Sequence, residues 1–305
     1  MKTGLVLEGG GMRGIYTAGV LDVLMKHKIW TDGVIGVSAG ACHGAGYVSG
    51  QRGRSIRYTA GYSRDWRFMS FRSLLLTGNV VGEKLSYHDI PYELDPFDFE
   101  AFFQSPIRMY AGATDLETGK AVYLDLKQDY FETKRECECR GVPFEEKEKQ
   151  RAEKLFLDMI RASASLPLVS NVVEIKGKKL LDGGTADSIP VREFRRMGYR
   201  KNIVVLTRPE GYQKEQDRTI PLMAAKYRRY PEYVKMAARR HIKYNKTLHY
   251  IKELEKRDEV FVLRPSVALN VSRMEKDEAM IRSQYQLGIE DTEKRLEKLK
   301  QWMEK

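Results

Sequence analysis

Cysteine is scarce in this sequence, with three residues in 305, namely Cys42, Cys137 and Cys139. An odd number argues against a framework of disulfides. Cys137 and Cys139 form a C-x-C pair, but no further ligands stand at the spacing of a zinc site. We interpret the thiols as incidental and expect no metal.

Long apolar runs are absent as well. Near the N-terminus, Lys2 is the only charged residue before a short apolar stretch, Leu5–Leu7, and Glu8 ends that stretch. This is not the pattern of a secretory signal, and a membrane span needs about 18 consecutive apolar residues. Because 42% of the residues are hydrophobic, the chain can form a sizeable core and is not disordered. These features predict a cytoplasmic, soluble protein.

Charge is present in excess but unevenly. The formal net charge is +11, and residues 226–257 carry eleven Lys or Arg against three Glu. An apolar stripe recurs there at helical spacing, at Tyr230, Val234, Ala237, His241, Tyr244, Leu248 and Ile251. Such a helix is typical of peripheral binding to the surface of an anionic inner membrane. The alternative is a helix whose apolar stripe packs in the core and whose basic face is solvated. Nucleic-acid binding is not expected, since no recognised module accompanies the patch.

The order of strands and helices predicts an α/β protein. Thr3–Glu8 and Gly33–Val37 are apolar strand patterns, and each is followed by a glycine turn and a helical pattern, as in βαβ units with a parallel sheet. Residues 55–103 are predicted to be largely helical and rich in aromatic side chains. We expect a main domain over 1–210 and a basic, mostly helical C-terminal extension over 211–305. The last helix is predicted to pack on the surface or to form a seam in a homo-oligomer.

The first strand leads into a glycine loop, Gly9-Gly10-Gly11-Met12-Arg13-Gly14, which fits the G-x-G-x-x-G pattern. A dinucleotide site needs an acidic residue at the end of the second strand. Asp32 has nearly the right spacing but precedes that strand, so the dinucleotide interpretation fails. Backbone N–H groups of a glycine loop at a helix N-terminus can bind another negative charge, such as an oxyanion.

The second strand leads into Gly36-Val37-Ser38-Ala39-Gly40, a G-x-S-x-G pattern in the strand–turn–helix context of a nucleophile elbow. The flanking glycines allow a tight turn from which the Ser38 hydroxyl projects above the sheet. An acyl-transfer serine also needs oxyanion donors. The glycine-rich backbone of the neighbouring loop, which follows a parallel strand and precedes a helix, can supply such donors.

A nucleophilic serine also needs a base. None of the five histidines, at positions 27, 43, 88, 241 and 249, lies in a recognisable strand-end loop. Asp182 is the stronger candidate, because it ends a predicted strand and is followed by Gly183 and Gly184, which leave its carboxylate room to reach a neighbouring loop. A plain Asp-Gly turn is the alternative.

Taken together, GGGMRG, GVSAG and LDGG, in this order and with these separations, resemble the patatin-like phospholipase family over about residues 3–208. The resemblance implies a three-layer α/β/α fold with a mainly parallel central sheet and no cofactor. It implies that Ser38 is the nucleophile, Asp182 the base and the N–H groups of Gly10, Gly11 and Met12 the oxyanion hole. Arg13 adds positive charge beside the loop or forms a structural salt bridge.

The expected function is therefore hydrolysis of lipid carboxylic esters, as by a phospholipase A or lysophospholipase. Two alternatives stay open. One is a general esterase or thioesterase with the same residues and a different acyl donor. The other is a lipid-binding module whose serine is idle.

Overall fold

The computed structural model describes residues 1–272 and 274–305. The described residues form eight strands: β1 (Thr3–Leu7), β2 (Gly33–Val37), β3 (Arg108–Asp115), β4 (Ala121–Asp125), β5 (Val173–Ile175), β6 (Lys178–Asp182), β7 (Lys201–Val205) and β8 (Val260–Leu263). The helices are α1 (Gly14–Lys26), α2 (Ala39–Val48), α3 (Arg54–Gly61), α4 (Phe71–Thr77), α5 (Phe99–Gln104), α6 (Gln128–Cys139), α7 (Glu146–Ala164), α8 (Val191–Arg196), α9 (Ile220–Lys226), α10 (Pro231–Lys256) and α11 (Glu278–Glu304). A 3₁₀ turn covers Gly11–Arg13 and a π-helix covers Leu85–Leu94.

The sheet is parallel through its centre. β8, β7, β1, β2 and β3 lie side by side, and each pairs in parallel with the next. β4 and β6 pair antiparallel with β3, and β5 pairs antiparallel with β6. The predicted mainly parallel sheet is therefore confirmed, and the antiparallel strands lie at one side of it.

The two faces of the sheet are both covered by helices. In β1, Leu5 and Leu7 point into a core shared with α1, α2, α7 and α11, whereas Val6 points into a core shared with α8 and α10. This alternation follows from the period of two in a strand, and burial of each of these side chains contributes roughly 1.5–3 kcal/mol. The predicted three-layer α/β/α architecture is confirmed.

The C-terminal residues add to this core. β8 extends the sheet beyond β7, and α11 packs along α1 so closely that a Cβ on Gly19 would stand 2.1 Å from the Tyr285 carbonyl oxygen. In α10, Tyr244 and Ile251 of the apolar stripe lie in the core, together with Leu254. The boundary at residue 210 stays a prediction, but the residues after it share one sheet with those before it.

α7 begins at Glu146, and mostly charged residues form its first two turns. No helix within residues 1–272 and 274–305 is long and apolar enough to cross a membrane.

Candidate active site

Ser38 stands at the turn between β2 and α2. Its backbone has φ 54° and ψ −123°, a left-handed conformation that residues other than glycine rarely adopt. The turn is tight because Gly36 and Gly40 are in contact: a Cβ on Gly36 would stand 2.5 Å from the Gly40 carbonyl oxygen. A strained residue held in this way is typical of functional sites. The turn also puts Ser38 at the N-terminus of α2, the positive end of the helix dipole.

The register of β3 brings the end of β2 next to the end of β6. β3 pairs on one edge with β4, since Ala113 and Thr114 face Val122 and Ala121. Its other edge pairs with β2 as far as Gly112, which faces Val37, and then with β6 from Ala113, which faces Asp182. The strand preceding Ser38 and the strand ending at Asp182 therefore approach head-on along the same edge.

Ser163, at the end of α7, ties these two strand ends together. Its hydroxyl accepts the Ser38 N–H at 2.9 Å and donates to the Gly112 carbonyl at 2.6 Å. Its own carbonyl accepts the Gly183 N–H at 3.3 Å. Ser163 is fully buried, so these bonds are made without competition from water. Sequence reasoning assigned it no role in the site; its Ala-Ser-Ala-Ser context was the available signal.

Asp182 is 5% exposed and is held by several bonds. Its Oδ1 accepts the Gly184 N–H at 2.7 Å, and its backbone N–H donates to the Ser165 carbonyl at 2.7 Å. The two glycines after it are required by close contacts, since a Cβ on Gly183 would stand 2.2 Å from the Gly112 carbonyl oxygen and one on Gly184 2.8 Å from Asp182 Oδ1. The Asp-Gly-Gly turn thus positions the carboxylate in the interior, at the end of β6.

Cys42 lies in the first turn of α2, close enough to Asp182 for the charge of that carboxylate to affect its thiol. Burial, and to a lesser extent the negative charge of Asp182, raise the pKa of the Cys42 thiol to about 12. This thiol is therefore neutral at pH 7 and is not a competing nucleophile.

The glycine loop lies beside the elbow. A Cβ on Gly14 would stand 2.5 Å from Cβ of Ala39, the residue after Ser38, and one on Gly9 3.1 Å from the Val37 carbonyl oxygen. The 3₁₀ turn closes when the Arg13 N–H donates to the Gly10 carbonyl at 3.3 Å. The N–H groups of Gly11 and Met12 precede Arg13, whose N–H is the first to be bonded within the turn, so they are available to a ligand.

A cavity of about 160 Å³ opens between Ser38 and the glycine loop. Ser38, Gly11 and Met12 line it, and most of the remaining wall is apolar: Ile15, Phe68, Met69, Val81, Ile90, Phe97, Phe156, Leu157, Ile160 and Leu166. An engineered apolar cavity of about 150 Å³ holds a molecule the size of benzene. The cavity is therefore large enough for a short stretch of hydrocarbon chain next to Ser38.

His43 also lines the cavity, which the sequence did not indicate. Its Nδ1 lies 3.3 Å from the Tyr58 hydroxyl. Burial lowers the pKa of His43 to about 4, so its imidazole is neutral and only weakly basic at pH 7. A group with that pKa is poorly matched to general-base catalysis near neutrality.

Asp32, the acidic residue that a dinucleotide site would require, lies at the other end of the sheet. Its Oδ2 accepts from the Thr3 N–H at 2.6 Å and from the Thr3 hydroxyl at 2.9 Å, at the start of β1. It is therefore remote from the glycine loop.

Among the described residues, one group has metal-ligand types with ligating atoms within 4.8 Å of one another, namely His88, Asp89 and Glu93. His88 and Glu93 are exposed, and exposed groups of this kind are common without an ion.

Two family models match parts of this chain. The family model of the patatin-like phospholipases matches residues 5–195, and a domain of unknown function (DUF6363) matches residues 230–304. An uncharacterised protein, YjjU, of Escherichia coli strain K12 is 30% identical over 210 residues, covering 68% of this chain and 52% of that protein. Lysophospholipase NTE1 of Debaryomyces hansenii is 27% identical over 214 residues, covering 67% of this chain and 12% of that protein.

The chain thus spans about half of the bacterial relative and about an eighth of the fungal one. Among solved structures, VipD from Legionella pneumophila aligns with a TM-score of 0.45 and 11% identity, covering 97% of this chain and 67% of that chain. The family match and the lysophospholipase relatives support a hydrolase. Because the family model covers more than half of the sequence, the chain belongs to the patatin-like phospholipase family.

Proposed function

We propose that this protein is a serine lipid acyl hydrolase that cleaves carboxylic esters of the phospholipid or lysophospholipid type. One observation carries the proposal: a serine in a left-handed elbow opens into an apolar cavity, and the strand ending at Asp182 meets the strand preceding that serine. The names of the fungal relatives support lysophospholipids as a substrate class.

In the first half of the reaction, Ser38 Oγ attacks the ester carbonyl carbon and its proton passes to the Asp182 carboxylate. The carbonyl π electrons move to oxygen, and the N–H groups of Gly10, Gly11 and Met12 stabilise the oxyanion. When the tetrahedral intermediate collapses, the C–O bond to the alcohol breaks and the leaving oxygen takes the proton from Asp182. An acyl-Ser38 ester remains, with the acyl chain in the apolar cavity.

In the second half, water attacks the acyl-Ser38 carbonyl while Asp182 accepts one of its protons. Collapse of the second intermediate returns that proton to Ser38 Oγ and releases the carboxylic acid. The N-terminus of α2 favours negative charge near Ser38 throughout the cycle. The weakly basic His43 has no proton-transfer role in this scheme.

A short-chain esterase is the second candidate, and the cavity volume favours it. A panel of p-nitrophenyl esters and labelled phospholipid vesicles distinguishes the two, since a lipid hydrolase turns over vesicle substrate and an esterase does not.

Covalent labelling tests the nucleophile directly. After incubation with an alkyl fluorophosphonate, mass spectrometry should find one adduct, on the peptide that contains Ser38, and Asp182→Asn should slow its formation. Absence of any adduct in protein that is folded would favour the idle lipid-binding module. An adduct on another serine would place the nucleophile elsewhere.

We also propose, as a separate and weaker contact, that the exposed cations of 226–257 approach an anionic membrane. This contact is electrostatic, because the apolar stripe of α10 packs inside the protein. It should therefore decline with increasing salt concentration.

A further inference from the structure

The short helix α4 presents apolar side chains to solvent instead of to the core. Phe71 is 67% exposed, Leu75 87% and Leu76 64%. Phe71 and Leu75 are four residues apart and so lie on one side of the helix, with Leu76 adjacent. Soluble proteins rarely keep a contiguous exposed apolar patch without a binding role. We call this group of three side chains the α4 face.

The two ends of the segment that carries the α4 face both lie at the rim of the Ser38 cavity. Met69 and Val81, which line the cavity, form an antiparallel bridge that joins the two ends of this segment. Next to this bridge, the Ser70 N–H donates to the Val80 carbonyl at 2.9 Å. The Val80 N–H in turn donates to the Val169 carbonyl at 2.7 Å, close in sequence to Leu166, another cavity residue. The α4 face therefore projects from the edge of the candidate active site.

Cations and an indole belong to the same segment of the chain as the α4 face. The Arg72 guanidinium lies 4.3 Å from the centre of the exposed Trp66 ring. In the part of the chain that the structure describes, Arg64, Arg72 and Lys84 are exposed and form no ion pair. Exposed apolar residues flanked by unpaired cations and a tryptophan are the combination that binds an anionic lipid surface.

A second copy of the chain fits this face less well. The three side chains of the α4 face have accessible areas of roughly 150–200 Å² each when free, so together they expose on the order of 400 Å². A stable dimer buries about 800 Å² per partner. A lipid surface needs no complementary shape and is the better match.

We propose that the α4 face inserts into an anionic lipid surface and holds the rim of the Ser38 cavity against it. An acyl chain then passes from the membrane into the cavity without crossing water. The use of this contact for catalysis rests on the proposed function, whereas the docking itself does not. The contact is distinct from the electrostatic one proposed for 226–257, because it depends on apolar insertion.

Vesicles of phosphatidylcholine and phosphatidylglycerol test the docking by cosedimentation. The double variant Leu75→Ser, Leu76→Ser should partition onto the vesicles at least about tenfold more weakly than wild type, because two apolar side chains no longer enter the lipid. Ile242→Ser is the matched control, since Ile242 is also exposed but lies on the basic surface of α10. Its partition should equal that of wild type.

The same variants separate docking from catalysis. Hydrolysis of a soluble p-nitrophenyl ester should be unchanged in the double variant, while turnover of vesicle phospholipid falls in proportion to binding. Because all three side chains are exposed, the melting temperature should be retained, and Phe71→Ser provides a second variant if the first is unstable.

Equal vesicle binding by wild type and both α4 variants would overturn the proposal. So would a loss of binding in Ile242→Ser alone, which would assign docking to α10. A wild-type dimer that dissociates in the double variant, with no change in vesicle binding, would show that the face contacts a second copy. If no ester is hydrolysed but vesicle binding still depends on Leu75 and Leu76, the docking holds and the proposed function fails.

Discussion

Ser163→Ala should weaken both the fold and the candidate active site. The Ser163 hydroxyl bonds to the Ser38 N–H and to the Gly112 carbonyl, and it is fully buried. Removing it leaves a donor and an acceptor without this partner, each at about 1–3 kcal/mol, so we expect a loss of about 2–6 kcal/mol in the free energy of unfolding. With an unfolding entropy of about 0.6 kcal/mol/K for 305 residues, the melting temperature should fall by about 3–9 °C.

The same variant should reduce kcat on a soluble ester by about tenfold or more, with little change in KM. The reason is that the bond to the Ser38 N–H holds the strained elbow in place, and misplacement of a reacting group lowers the rate of the chemical step. Differential scanning calorimetry and steady-state kinetics measure the two effects. Ser165→Ala is the matched control, since the Ser165 hydroxyl donates only within its own helix, to the Arg161 carbonyl. If Ser163→Ala melts and turns over like Ser165→Ala, the bridging role assigned to Ser163 is wrong.

Three further changes probe other parts of the account. Gly183→Ala should lower the free energy of unfolding by about 3 kcal/mol or more in a denaturant titration, because its Cβ would stand 2.2 Å from a main-chain oxygen of β3, whereas Gly61→Ala, with open space around it, should not. His43 is protonated in the unfolded chain below pH 6.5 but stays neutral in the fold down to about pH 4, so its contribution to stability should fall by about 3 kcal/mol as the pH drops through that range. His43→Gln should show a correspondingly flatter stability profile, and an unchanged profile would contradict burial of the neutral ring. Tyr244→Phe removes the donor to the buried Glu8 carboxylate, 2.5 Å away, and should cost about 1.5–3 kcal/mol in thermal unfolding; a neutral effect would mean that α10 is not anchored there.

Local signals were sufficient to predict the elements that surround the site. Glycine turns after two apolar strands predicted the βαβ units, and the G-x-S-x-G pattern predicted the elbow, where Ser38 indeed has a positive φ. These predictions succeed because each depends on a few adjacent residues whose backbone requirements are strict. The sequence also placed Asp32 before its strand, and its carboxylate accordingly bonds to Thr3 at the start of β1.

Features that depend on contacts between distant segments could not be predicted. The register that joins β2 and β6 to one edge of β3 is not encoded in any single motif, and neither is the bridge made by Ser163. The stripe on α10 was consistent with a membrane-facing or a core-facing helix, since periodicity identifies a face but not what covers it. The exposure of α4 could not be predicted either. Its leucines are typical of a buried helix, and the sequence does not show that no other segment covers them.

Comparison of wild type with Ser38→Ala and Asp182→Asn on a soluble p-nitrophenyl ester tests the central claim most directly. Both substitutions preserve the shape of the buried site, and circular dichroism and melting temperature establish that each variant is folded. The account predicts that kcat falls by about 10³-fold or more in both, because nucleophile and base act as one unit. A folded Ser38→Ala or Asp182→Asn variant that retains the wild-type kcat would contradict it.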